Sequence, residues 1–81
     1  MASLRYQNLR LVIYPNDHGP PHVHVVGPGF EVKVNLEGEI RLGPVGGELG
    51  PAMRRSCLVA VRTNRTELLQ IWEELHGSES E

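Results

Sequence analysis

The ten residues from Asn16 to Val25, NDHGPPHVHV, hold three histidines, an aspartate and two adjacent prolines. Three chemistries fit those residue types. Imidazole nitrogens ligate a divalent metal at about 2.1 Å, so His22 and His24 are candidate metal ligands, with His18 or Asp17 as a third and a position left for water. Such an ion, zinc for example, lowers the pKa of its water toward about 7, a hydrolytic arrangement. Without metal, His18, His22 and His24 are candidate catalytic residues, since imidazole exchanges protons near neutral pH. The third reading is structural. Asn16 and Asp17 favour turns, Pro20 and Pro21 impose an extended path, and histidine edges satisfy backbone groups that prolines leave unpaired. Residue types and spacing leave all three open.

Whichever reading holds, a strand must position His22 and His24. Residues Leu9–Tyr14 alternate with a period of two and are rich in β-formers, as are His22–Val26, and Gly27, Pro28 and Gly29 mark the turn that follows. Phe30, Val32, Val34 and Leu36 then alternate with Glu31, Lys33, Asn35 and Glu37, the clearest strand in the chain. A tight turn at Glu37 and Gly38 leads to a fourth strand around Ile40 and Leu42. Turns this short require antiparallel neighbours. Residues Gly43 to Gly50 read as a flexible connecting loop.

Pro51 suits the first turn of a helix, and Met53, Cys57, Ala60 and Val61 recur at helical spacing. Asn64 and Glu67 have the spacing of a capping box, which opens a second helix carrying Leu68, Ile71, Trp72 and Leu75 on one stripe. His76 complements that helix's dipole near its surface end, Gly77 closes it, and the residues from about 77 are expected to form a short, disordered polar tail. The expectation is an α+β single domain over residues 1–81: an antiparallel meander of about four strands, then two helices on one face. Val23 and Val25 point into that core, which puts His22 and His24 together on the opposite face.

The 81 residues carry 40% hydrophobic and 22% charged side chains, the profile of a globular chain. A formal net charge of -2 argues against general affinity for nucleic acid. Locally, Arg54, Arg55 and Arg62 on the first helix make a candidate binding face for nucleic acid or an acidic partner, and Asn16, Asp17 and Tyr14 are candidate binding residues beside the histidines. Arg5 and Arg10 interrupt the early apolar residues, and no apolar run approaches the roughly 20 residues that span a bilayer. A soluble cytoplasmic protein is expected, with no membrane partner.

The segment IYPNDHGPPHVHV and the closing NRTELLQIWEEL resemble the small bacterial and archaeal family catalogued as domain of unknown function 4160, from about Leu9 to Leu75. The resemblance marks Asn16, Asp17, His18, Pro20, Pro21, His22 and His24, with Trp72 as helical anchor. It implies no established activity. It does imply a member of a two-gene, toxin–antitoxin-like module with a small partner protein encoded alongside. The Gly43–Gly50 loop and the arginine-rich first helix depart from the family's pattern. The function expected is therefore a small interaction module binding a partner protein or polyanion through the histidine turn, with a minimal hydrolase or ribonuclease built on the histidines, with or without metal, as the alternative. Exposed edge strands and a small core further suggest a homodimer.

Overall fold

The computed structural model describes residues 1–77. Five strands, β1 (Ala2–Tyr6), β2 (Leu9–Ile13), β3 (His22–Gly27), β4 (Phe30–Asn35) and β5 (Leu42–Gly47), precede helices α1 (Pro51–Thr63) and α2 (Arg65–His76). The strands form one antiparallel sheet in chain order, β1-β2-β3-β4-β5. The α+β meander with two following helices is as expected, with one strand more.

The extra strand is β1. It joins β2 through Gln7 and Asn8, with Gln7 at φ 56 and Tyr6 opposite Leu9. A two-residue hairpin loop requires positive φ, usually supplied by Asn-Gly. Gln7 gives no such signal.

The last strand is also displaced. Residues Leu42–Gly47 pair with β4, so most of the expected flexible loop is an edge strand. Backbone pairing does not need side chains to bury, and Pro44 falls where two residues oppose one at a bulge, a place that tolerates a missing N–H. Gly47, at φ 87, lies so close to the Gly29 carbonyl that a side chain would collide. The turn before β5 is longer than two residues and is clasped by Asn35. Its Nδ2 donates to the Glu37 and Glu39 carbonyls at 2.6 Å each, and its Oδ1 accepts from the Arg41 N–H at 2.7 Å.

One sheet face builds the core. Leu9, Leu11, Ile13, Val23, Val25, Val32 and Val34 are buried there against Cys57, Ala60 and Val61 of α1 and Leu68 and Trp72 of α2. Burial pushes the Cys57 thiol above its ordinary value, as expected of a core thiol. Pro51 stands in the first turn of α1 as expected, and the Arg54 N–H donates to the Gly50 carbonyl. The expected capping box does not form. Asn64 instead folds back to end α1, its Nδ2 donating to the Ala60 carbonyl at 2.8 Å.

The α2 stripe ends differently from expectation: His76 is buried, 4% exposed, stacked on Trp72 at 3.9 Å. Its Nδ1–H donates to the Trp72 carbonyl, the i to i−4 geometry of a helix interior. Residues beyond Gly77, most of the expected polar tail, lie outside the described residues.

Candidate functional site

Two proline carbonyls hold the histidine segment in place. Pro21 accepts the Leu36 N–H at 3.0 Å, which extends the β3–β4 pairing, and Pro20 accepts Nδ1–H of His22 at 3.0 Å. The peptide bond between Gly19 and Pro20 is cis. From there β3 runs antiparallel to β2 and β4, with His22 opposite Asn35 and His24 opposite both Val12 and Lys33. Strand alternation puts both imidazoles on the side away from Val23 and Val25, as the sequence implies.

The turn then returns Asp17 to those rings. Its Oδ2 lies 2.9 Å from Nε2 of His22 and 3.0 Å from Nε2 of His24. The second nitrogen of His24, Nδ1, faces Oε2 of Glu31 at 3.1 Å. The rings stand 5.3 Å apart, and each abuts an aromatic neighbour: His22 meets Trp72 at 5.3 Å and His24 meets Tyr14 edge-on at 5.0 Å. His22 is buried, whereas Asp17 and His24 retain partial access to solvent.

Counting hydrogens shows what this arrangement lacks. All four ring nitrogens face oxygens that can only accept: the Pro20 carbonyl, Asp17 Oδ2 twice, and Glu31 Oε2. Burial alone would raise the Asp17 carboxyl, but hydrogen bonds from His24 and His22, and their charge, outweigh it and hold it below its ordinary 3.8. An ionised carboxylate brings no hydrogen, and two neutral imidazoles bring only two. Two contacts remain without a proton. Either both rings carry a second proton or a cation stands where the two Nε2 lone pairs converge on Asp17.

The donors match the second possibility in type and placement. Oδ2 of Asp17 and one nitrogen of each ring lie within 4.8 Å of one another. Donors at about 2.1 Å around a tetrahedral ion are about 3.4 Å apart, so a small rotation of the carboxylate makes room. Metal-ligating histidines characteristically donate their other N–H to a carbonyl or carboxylate. Here Pro20 and Glu31 occupy those two places. Two imidazoles and one carboxylate suit zinc, iron or another transition ion better than magnesium or calcium.

Not every expected residue joins this cluster. His18 is exposed in the turn and absent from it, because consecutive residues diverge and Asp17 is the one directed inward. Asn16 is exposed beside it, and Tyr14 borders the site. Arg54, Arg55 and Arg62 are exposed on α1, which packs on the other sheet face. They do not converge with the histidines. Glu31 is the residue that sequence reading misses, since it alternates as an ordinary water-facing position of β4. Two shallow grooves flank the imidazoles. One of about 310 Å³ is lined by His24, Glu31, Lys33 and Pro44–Gly46; the other, about 240 Å³, runs past His22, Lys33, Asn35 and Arg41. A larger concavity of about 620 Å³ follows α2 and holds no imidazole.

Fold and cluster together define a small α+β domain with an aspartate–histidine–histidine centre on the sheet side away from Val23 and Val25. The chain belongs to the family described as domain of unknown function DUF4160, whose model matches residues 8–73. It finds no match among curated proteins and none among solved structures. No helix among the described residues is long and apolar enough to cross a membrane.

Proposed function

We propose that this is a cytoplasmic metalloprotein that holds one divalent transition-metal ion through Asp17, His22 and His24 and uses it for hydrolysis. The single observation that carries this reading is the convergence of donors: Oδ2 of Asp17 and the two Nε2 atoms meet within 4.8 Å while both Nδ1 positions already face acceptors. Three protein ligands leave at least one position for water, as in catalytic rather than structural zinc sites. Glu31 would orient His24 and raise its basicity as a ligand.

Calorimetric titration of chelator-treated protein with zinc tests the reading. One ion per chain is expected for the native chain, with uptake lost in His24→Ala and in Asp17→Asn and retained in His18→Ala. Equal uptake by all four proteins would refute it.

A second reading, a small interaction module of the toxin–antitoxin-like type, is favoured by one observation: β1 is an edge strand, with backbone groups available to a partner protein.

A further inference from the structure

The sheet face that carries the imidazoles lies opposite the core; it is buried around Val12 and His22, but its charged positions are exposed and unevenly distributed. Register places Arg5 directly opposite Arg10, Arg10 opposite Val26, and Lys33 opposite His24, so all three cations share that face with the histidines. Arg5, Arg10 and Lys33 are exposed, and among the described residues none of them has an ion pair. Like charges directly opposite across two strands are destabilising. A face that keeps Arg5 against Arg10 with no acid between them is suited to an anion that bridges them. The acids explain why net charge hides this: Glu67, Glu73 and Glu74 lie on α2, against the opposite face. Beside the imidazoles the carboxylates are Glu31 and Asp17, both turned to the rings, while Glu37 and Glu39 follow in the turn after β4, where Glu39 pairs with Arg41.

We infer that this face binds single-stranded nucleic acid, with its phosphates along Arg5, Arg10 and Lys33, and that this strand is the substrate of the proposed metal centre. From β1 to β4 is three strand spacings, about 14 Å, enough for a chain of linked phosphates rather than one isolated anion. Tyr14, beside His24, offers an aromatic edge against which a base can pack, the combination of cations and rings that sequence-tolerant single-strand binders use. Lys33, opposite His24, would hold a phosphate next to the metal position. The reaction is hydrolysis. Water bound beside Asp17 attacks phosphorus, one P–O ester bond breaks, the departing oxygen takes the proton that water loses, and the products are a phosphate monoester end and a hydroxyl end. The cleavage rests on the metal reading, whereas binding rests on the face alone.

The test is fluorescence anisotropy of labelled 12-nucleotide uridine and thymidine strands, with the zinc-loaded and the metal-free full chain, across a salt series. Three phosphate contacts give a slope of log affinity against log salt of about −2. Arg10→Glu should weaken binding at least tenfold, and Lys33→Ala severalfold. Arg54→Glu, on the other side of the molecule, should change nothing. Preference for one strand type would distinguish an RNA from a DNA substrate. Absence of binding, or equal loss in Arg10→Glu and Arg54→Glu, overturns the inference. Binding by a chain that takes up no zinc would sustain the face and overturn the cleavage, whereas zinc uptake without strand binding would leave the metal centre standing and overturn the substrate.

Discussion

Nε2 of His22 points at Oδ2 of Asp17 from 2.9 Å while Nδ1 of the same ring donates to the Pro20 carbonyl at 3.0 Å. A neutral imidazole cannot donate from both nitrogens. The backbone bond fixes which nitrogen carries hydrogen in the neutral ring, and the one left bare is the one directed at a carboxylate. That polarity is how a chain prepares a metal ligand.

Glu31 faces Nδ1 of His24 at 3.1 Å and is absent from the donor cluster itself. Glu31→Gln keeps the shape and removes the charge that makes the ring a better ligand. Metal affinity should fall about 10- to 100-fold, the usual effect of losing such a partner, with stoichiometry unchanged. Competition against a chromophoric chelator measures it, and an unaltered affinity would separate Glu31 from the centre.

Asp17 gives the metal-free protein an acid limb of defined sign. Its carboxyl sits below the ordinary 3.8 in the folded state, so the unfolded chain takes up that proton first as pH falls. The stabilisation is fully present above 3.8 and is lost as pH drops through the lower folded value. In Asp17→Asn, urea midpoints should therefore vary less with pH below 3.8 than in the native chain.

Leu68 is wholly buried between α2 and the sheet, remote in chemistry from the imidazoles. Leu68→Ala should cost about 2–5 kcal/mol in denaturant unfolding, the range for deleting a buried leucine. Zinc stoichiometry at a temperature where the variant is folded should stay at one. A lost site with intact stability would mean that the cluster depends on helix packing more than on its own turn.

The two edges of the sheet are unequal, and we propose that self-association uses the first. β5 is blunted by Pro44 and its glycines, whereas β1 is regular and open, the kind of edge on which a second copy can add antiparallel strands. Light scattering at high micromolar concentration should return twice the 9.0 kDa chain mass. A monomer mass would reject the dimer.

Much of the fold is legible in the chain because β4 alternates strictly, β2 and β3 are rich in β-formers with their larger apolar residues at period two, and Leu68 and Trp72 recur at helical spacing. What escapes is carried by backbone or by register. Gln7 adopts positive φ without being glycine or asparagine, so β1 goes unread, and Gly43–Gly47 become a strand through main-chain pairing alone. His76 resembles a surface cap until Trp72 is seen stacked on it one turn earlier. The candidate site divides in the same way. His22 and His24 follow from an i, i+2 pattern on a strand, and Asp17 from the turn. The choice of Asp17 over His18 as third ligand, and the contribution of Glu31, need the return path of the turn and the β3–β4 register, neither of which local composition encodes.

Nitrogen-15 NMR of the histidine rings during a zinc titration reads ligation by Asp17, His22 and His24 at the atoms concerned. One equivalent of zinc should move the Nε2 resonances of His22 and His24 to metal-bound positions, leave both Nδ1 atoms with their hydrogens, and leave His18 and His76 unchanged. Unmoved Nε2 signals at saturating zinc, or zinc taken up at His18 instead, would contradict that ligation and leave Asp17, His22 and His24 as a hydrogen-bonded turn.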